Sequence, residues 1–214
     1  MSGRAESRPF DSVQGDKSFL KMNIGLYFGT FNPIHVGHLI IANHMVENSD
    51  LDEIWMVVTP QNPFKKKSSL LENYHRLQLV DLATENYHKI KSSNLEFNLS
   101  QPNYTVHTLA HISDKYPAHS FCLIMGEDNL KSFHKWKNFE IILEHHHIYV
   151  YPRISEGKVV TKFDNHPKIH KVKAPIIQIS STQIRKGIQD GKNIQPLLSG
   201  SVWKYIDEMN FYRK

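Results

Sequence analysis

Between Ile24 and Met45 the chain reads Ile-Gly-Leu-Tyr-Phe-Gly-Thr-Phe-Asn-Pro-Ile-His-Val-Gly-His-Leu-Ile-Ile-Ala-Asn-His-Met, and no other stretch restricts the fold as much. Ile24 to Phe28 is an apolar run of strand length, and Gly29-Thr30-Phe31-Asn32-Pro33 supplies the small and turn-forming residues that end a strand. Beyond Gly37 the apolar positions Leu39, Ala42 and Val46, with Ile41 and Met45, recur three and four apart, which is one buried face of a helix. The first turn of such a helix carries unpaired N–H groups and the positive end of the helix dipole, a ready phosphate site. His35 and His38 sit at its mouth on the same side, placed to reach one polyphosphate, and Gly29 and Gly37 leave room for close backbone approach to a ligand. The same pair also suits a plain helix start or half a zinc site. A catalytic zinc needs a third protein ligand, and no nearby Cys or Glu offers the usual spacing.

A chain of 214 residues, 40% hydrophobic and 22% charged, is one globular domain with a full core. No apolar run approaches the roughly 20 residues of a membrane span, and the first residues are too polar for a signal peptide. The single Cys122 excludes an internal disulfide and suits a reducing cytoplasm. A formal charge of +5 suits anionic partners such as nucleotides and is too modest to call for nucleic acid. Residues 1–21 are polar and without period and read as a flexible leader ahead of a domain spanning 22–214.

After the first helix, Glu53 to Thr59 is a second buried strand, followed by a loop carrying Lys65, Lys66 and Lys67, which either gathers phosphate or is simply a solvated charged loop. A helix is expected over Glu72 to Tyr87 with Leu77, Val80, Ala83 and Tyr87 inward, and a third strand over Leu95 to Leu99. Pro102-Asn103-Tyr104-Thr105 opens another helix running to Tyr116. Phe121 to Met125 is wholly apolar and therefore a central strand, and it ends in Gly126-Glu127-Asp128, where a carboxylate could hold ribose hydroxyls or a metal-bound water. Trp136 lies in a polar loop, as a lid over the core or a stacking surface for an aromatic ring. The run His145-His146-His147 leads into a strand over Ile148 to Tyr151, and consecutive strand residues point to opposite sides, so three imidazoles there do not converge on one ion. Residues 156–168 read as a surface connection, and a last helix over Ser199 to Asn210 places Val202, Ile206 and Met209 at core spacing.

The second constellation is Ile179-Ser180-Ser181-Thr182-Gln183-Ile184-Arg185. Ser and Thr before an apolar-periodic run cap a helix, and the same N–H groups and hydroxyls can bind phosphate, with Arg185 one turn in. The pattern as a whole predicts an α/β fold. A doubly wound parallel sheet of five or six strands carries helices on both faces, in one Rossmann-like domain with its site at the carboxyl ends of the strands.

Gly29-Thr30-Phe31-Asn32-Pro33-Ile34-His35-Val36-Gly37-His38 resembles the G-T-F-D/N-P-x-H-x-G-H signature of the nucleotidylyltransferase superfamily, and more closely that of bacterial nicotinate-nucleotide adenylyltransferases. Residues 179 to 185 match that family's I-S-S-T-x-I-R motif residue for residue, so the resemblance extends from Asn23 to Tyr212. It implies a fold of the nucleotidylyltransferase type and adenylyl transfer from ATP to nicotinate mononucleotide, with Mg²⁺ as cofactor. Gly29, Thr30 and Phe31 are then part of the nucleotide loop, and His35, His38 and Arg185 are the catalytic residues. Ser180, Ser181 and Thr182 hold the β- and γ-phosphates. Tyr104 and Thr105 correspond to an S-Y-T element that grips the nicotinate carboxylate. Gly126 and Asp128 correspond to a G-x-D element on the adenosine ribose, Trp136 to the indole that stacks on the pyridine, and Arg153 to a weakly similar R-P-G element. A homo-oligomer is compatible with such a chain.

The departures are specific. Phe28 stands in place of the first of two glycines, Asn32 in place of a common Asp, and Phe64 in place of a His, so both loops are expected to differ in shape. Pantetheine-phosphate adenylyltransferases share the first motif, but Tyr104-Thr105 and Trp136 favour a pyridine substrate. A class I aminoacyl-tRNA synthetase core has a similar histidine pair, yet this chain leaves no room for an anticodon domain. A non-catalytic nucleotide sensor would bind ATP and release no pyrophosphate.

Overall fold

The computed structural model describes residues 20–60, 70–154 and 161–213. In chain order the elements are β1 Asn23–Gly29, α1 Val36–Glu47, β2 Glu53–Val58, α2 Asn73–Thr84, β3 Ile90–Ser93, α3 Thr105–Lys115 and β4 Ser120–Gly126. They continue with α4 Glu127–Ser132, α5 Phe139–His145, β5 Ile148–Tyr151, β6 Ile169–Lys171, α6 Ser181–Gln189 and α7 Gly200–Glu208. Short 3₁₀ turns cover Phe133–Lys135 and Gln195–Leu197. The six strands form one parallel sheet in the order β3-β2-β1-β4-β5-β6. This is the Rossmann order, and the direction of winding reverses between β1 and β4.

Central strands of such a sheet are covered on both faces and read as continuous apolar runs. Ile24 and Leu26 of β1, Phe121, Leu123 and Met125 of β4, and Ile148 and Val150 of β5 pack with α3, α4 and α5. The alternate residues Tyr27, Cys122, Ile124, Tyr149 and Tyr151 face α1, α2, α6 and α7. Among the described residues no helix is long and apolar enough to cross a membrane.

Several expectations need correction. The third strand is Ile90–Ser93, paired with Ile54–Val57, and Leu95 to Leu99 is a turn. The alternation of Leu95 and Phe97 is real, but it places the two residues in the cores on opposite sides of the sheet. Between them Glu96 is drawn inward, where its carboxylate accepts the Thr108 hydroxyl at 2.7 Å and its carbonyl accepts Asn103 Nδ2 at 3.2 Å. A strand that was not expected, β6, starts directly after the expected surface connection, and within that connection Phe163 is buried. The second helix is shorter than expected and turned, burying Arg76, Leu79, Val80 and Ala83 while Tyr87 stays exposed beyond its end. Met209 is likewise exposed at the end of α7, where Val202 and Ile206 hold the core. All of the expected leader except Leu20 and Lys21, and the Lys65–Lys67 loop with Phe64, lie outside the described residues.

Arg76 explains the rotation of α2. Its side chain is 0% exposed, and all five guanidinium N–H groups have an acceptor. Nε donates to Leu71 O at 3.0 Å, Nη1 to Thr30 O at 2.7 Å and Thr59 O at 2.8 Å, and Nη2 to Pro60 O at 3.1 Å and Asn73 Oδ1 at 2.6 Å. Thr30 follows β1 and Thr59 follows β2, so one side chain ties the carboxyl ends of two neighbouring strands to the start of α2. Replacing it by Met keeps much of the stem volume and leaves these acceptors without a donor. Arg76→Met is therefore expected to cost at least about 3 kcal/mol, read as a shift in the urea unfolding curve, because each orphaned buried polar group costs about 1–3 kcal/mol.

Candidate active site

The carboxyl ends of β1 and β4 border the point where the winding reverses, and both sequence constellations are gathered there. His35 is the N-cap residue of α1, in extended backbone. Its carbonyl accepts the His38 N–H at 2.9 Å, and its own N–H donates to His38 Nδ1 at 3.3 Å. With Nδ1 of His38 acting as acceptor, the proton of the neutral ring resides on Nε2, which is left as a donor. The two imidazoles stack at 3.8 Å between ring centroids, and Phe31 meets His38 edge-on at 5.1 Å.

Both histidines are kept neutral. Burial, with His35 only 6% exposed, is the main cause, and the positive charge of Arg153 adds to it. The pKa of His35 is lowered to about 4, and that of His38 falls well below the usual histidine range. His35 Nδ1 is buried with no hydrogen-bond partner among the described residues.

Helix α6 starts beside this pair. Ser180 is its N-cap: its Oγ accepts the Gln183 N–H at 3.2 Å, and Gln183 Oε1 accepts the Ser180 N–H at 3.0 Å. This reciprocal pair is a capping box. Ser181 Oγ donates to Pro33 O at 2.8 Å, and Arg185 Nη1 donates to Asn32 O at 2.8 Å. Arg185 Nη2 reaches Thr182 Oγ1 at 3.3 Å. Two motifs about 150 positions apart in sequence are thus bonded directly, which brings the starts of α1 and α6 together. Asn32 is a further joint, because its Oδ1 accepts Leu71 N–H at 3.2 Å and Tyr212 O–H at 2.8 Å.

Arg153, just beyond β5, lies over the Tyr151 ring at 5.1 Å and donates to the Tyr151 hydroxyl at 3.1 Å. Its Nε is 3.8 Å from Asp128 Oδ1. Gly126 makes this possible, since a Cβ there would lie 2.4 Å from Asp128 Oδ1 and 3.1 Å from Arg153 Cγ. Tyr27, His35, His38, Tyr151, Arg153, Ile177 and Ile179 enclose about 10 Å³, room for no more than one water. A far larger cavity of about 1190 Å³ opens at the amino ends of the strands, past Asn23, Ser120 and His147, away from every residue of the two motifs.

Tyr104 is the N-cap of α3 and Thr105 its first residue. Lys137 Nζ lies 4.5 Å above the Tyr104 ring, which brings the loop holding Trp136 alongside the start of α3. Trp136 is half-buried and packs edge-on against Phe133 at 5.4 Å.

Three assignments change in kind. The space over Gly29 is filled by the Phe31 ring, and that beside Gly37 by His35 and Ile177, so neither glycine offers open room to a ligand. Phe31 is buried and supports His38 rather than lining the cleft with its ring. The Ser181 hydroxyl and Arg185 Nη1 bind the loop after β1. The histidine run diverges as its alternation requires: His146 Nδ1 bonds Phe121 O, His147 Nδ1 meets His170 Nε2 at 2.7 Å, and His145 is exposed beside Glu144. Among the described residues no group of three or more His, Cys, Asp or Glu could hold a metal ion. The sequence reading missed Arg76, Tyr27, Tyr151 and Tyr212. The available signals were an arginine at an inward helical position and two tyrosines at inward strand positions, whose hydroxyls require partners.

The family model described as cytidylyltransferase-like matches residues 26–187. A protein named "Probable nicotinate-nucleotide adenylyltransferase" from Christiangramia forsetii is 69% identical over 91% of this chain and 100% of its own length. The chain belongs to the nicotinate-nucleotide adenylyltransferase family. A family member from Flavobacterium psychrophilum is 67% identical over 90% of this chain and 100% of its own length. One from Bacteroides fragilis is 44% identical over 87% and 92%. In fold, the chain resembles Plasmodium falciparum nicotinic acid mononucleotide adenylyltransferase complexed with NaAD, with a TM-score of 0.74 and 22% identity over 89% of this chain and 97% of that one.

The neutral histidines give this family member a pH signature. A histidine whose pKa is lower in the folded than in the unfolded state takes up its proton more readily on unfolding, so stability is lost as pH falls from about 6.5 toward the folded value. The urea midpoint is expected to fall between pH 7 and pH 4, and His35→Asn is expected to fall less steeply over the window from 6.5 to about 4.

Proposed function

We propose that the chain transfers the adenylyl group of ATP to nicotinate mononucleotide, releasing pyrophosphate and forming nicotinate adenine dinucleotide for NAD biosynthesis. The observation that carries this reading is the direct bonding of the two motifs, Ser181 to Pro33 and Arg185 to Asn32, in a chain 69% identical to a family member over that protein's whole length. A phosphate oxygen of the mononucleotide attacks the α-phosphorus, the bond to the β-phosphate oxygen breaks, and that oxygen leaves with the pyrophosphate. The attacking oxygen is already ionised, so no side-chain nucleophile or base is required, and catalysis consists of positioning and charge neutralisation. His38 Nε2–H is a donor for charge developing on the α-phosphate, and His35 lies stacked beside it. The starts of α1 and α6, Ser180, Thr182 and Arg185 are placed for the triphosphate. Asp128 and Gly126 suit the adenosine ribose, and Tyr104, Thr105 and Trp136 the nicotinate.

Mg²⁺ takes octahedral oxygen ligands, keeps several waters and usually relies on one or two carboxylates besides substrate phosphates. Asp128 at the cleft, with no acidic cluster around it among the described residues, fits an ion carried on the triphosphate rather than in a protein cage. Such an ion would offset phosphate charge. The buried, unpaired Cys122, whose thiol is pushed up to about 11 by burial, suits a reducing cytoplasm.

The test is pyrophosphate release from ATP with nicotinate mononucleotide, nicotinamide mononucleotide or pantetheine phosphate as acceptor. Amide groups at a helix start favour a carboxylate over a neutral amide, and hydrogen bonds to a charged group contribute about 1.5–3 kcal/mol each. Two such bonds give an expected kcat/KM for the acid at least about a hundredfold above that for the amide. Comparable values would make the chain a dual-specificity transferase, and ATP binding without pyrophosphate release would make it a sensor. In the same assay His38→Ala is expected to lower kcat by at least about a hundredfold, the usual cost of losing one transition-state donor.

A further inference from the structure

Tyr27 on β1 and Tyr151 on β5 lie one strand apart, with β4 between them, and both face the α1 side of the sheet. They are 5% and 3% exposed, their rings meet edge-on at 5.9 Å, and their hydroxyl oxygens are 3.1 Å apart. A hydroxyl has one proton to give and two lone pairs to receive with. The Tyr151 oxygen accepts the Arg153 Nη2 proton at 3.1 Å and also meets the Tyr27 hydroxyl, where either oxygen can be the donor. The guanidinium and the two hydroxyls thus form one hydrogen-bonded chain. Burial holds Tyr27 in its neutral form, so the chain adds no charge to the cleft.

Tyr151 is the guanidinium's hydrogen-bond partner among the described residues; the approach of Nε to Asp128 at 3.8 Å is an ion pair too long for a hydrogen bond. The bare backbone of Gly126 leaves the space the Arg153 side chain occupies, with its Nε 3.2 Å from where a Cβ would stand. Arg153 lines the same small cleft as His35 and His38, and its charge is felt by both. Since both histidines are neutral, Arg153 is the cation of that cleft.

We propose that the Tyr27–Tyr151 hydroxyl pair is a positioning brace that aims the Arg153 guanidinium at the phosphates reacting beside His35 and His38. The inference rests on the adenylyl-transfer reading, since it assigns the brace to the α-phosphate end of that site. Tyr27 touches no substrate in this arrangement and acts only through Tyr151 and Arg153.

The test uses Tyr27→Phe, Tyr151→Phe and Arg153→Gln, with the double variants that combine each phenylalanine with Arg153→Gln. The phenylalanine variants keep the ring at 27, which packs on Phe31 and His38, and the ring at 151, which packs on the ring at 27 and lies under Arg153, and remove only the hydroxyls. Thermal unfolding confirms that each variant is folded, and kcat and both KM values come from pyrophosphate release. Arg153→Gln is expected to lower kcat at least about tenfold and Tyr151→Phe about three- to tenfold, with each KM changed less than about threefold. In the Arg153→Gln background neither phenylalanine is expected to lower kcat by more than a further twofold or so, because groups that act through one another are not additive. Full additivity, unchanged kcat in Arg153→Gln, or an effect on KM alone would overturn the brace while leaving the adenylyl-transfer reading intact. If the wild-type chain releases no pyrophosphate, the adenylyl-transfer reading fails, and the brace assigned to its α-phosphate end fails with it.

Discussion

A guanidinium with no water around it holds together the end of the sheet where the chemistry is placed. Removing a cation from water is expensive, and the cost is recovered only if every donor is matched by an acceptor in good geometry. Arg76 meets that condition with four backbone carbonyls and the Asn73 side chain. Two of those carbonyls, Thr30 and Thr59, belong to the residues that leave β1 and β2, so the same bonds that stabilise the cation also fix where the loops begin. The loop after β1 is then held from its other side by α6, through Ser181 on Pro33 and Arg185 on Asn32, and by Tyr212 on the Asn32 side chain. Every polar atom of that loop used in this way is a structural atom. The histidine stack at the start of α1 takes no part in this bracing.

The division between structural and reactive groups explains what the sequence made legible. Parallel order, the central place of β4 and the position of both motifs followed from apolar runs and from the helix starts beside Gly37 and Ser180, features that depend on local periodicity. Edge strands were the failure. Ile90-Lys91-Ser92-Ser93 carries one buried apolar residue and β6 is only Ile169-His170-Lys171, because an edge strand needs far less apolar surface than a central one. Leu95 to Leu99 drew the strand assignment instead, since a segment passing between the two cores alternates as a strand does.

Residue placements were legible in a different measure. His35, His38, Ser180 and Arg185 lie at the expected corner because a cap and a first turn fix their places within a few bonds. The partners of Ser181 and Arg185 were not legible, because a hydrogen bond between positions 33 and 181 depends on tertiary closure that no local pattern records. The space at Gly29 was misjudged for a similar reason: a glycine signals that something comes close, and here it is the Phe31 ring, whose backbone at a φ of 43° turns it back onto the strand end. Phe28 and Asn32, the two departures from the family signature in that loop, flank this reversal.

These placements converge on how the site carries its charge. Imidazoles near their ordinary pKa would make a phosphate site gain and lose positive charge across the physiological range. Here burial and the nearby Arg153 keep both rings neutral, so their contribution is a directed N–H rather than a cation. The positive charge instead belongs to Arg153 and Arg185, which approach from β5 and α6. On the proposed adenylyl-transfer reading, histidines held this way would serve as neutral donors to charge that appears only as the bond to the α-phosphorus changes hands. On that reading burial of the histidines would serve the chemistry, and the stability they give up in acid is the cost of holding them neutral.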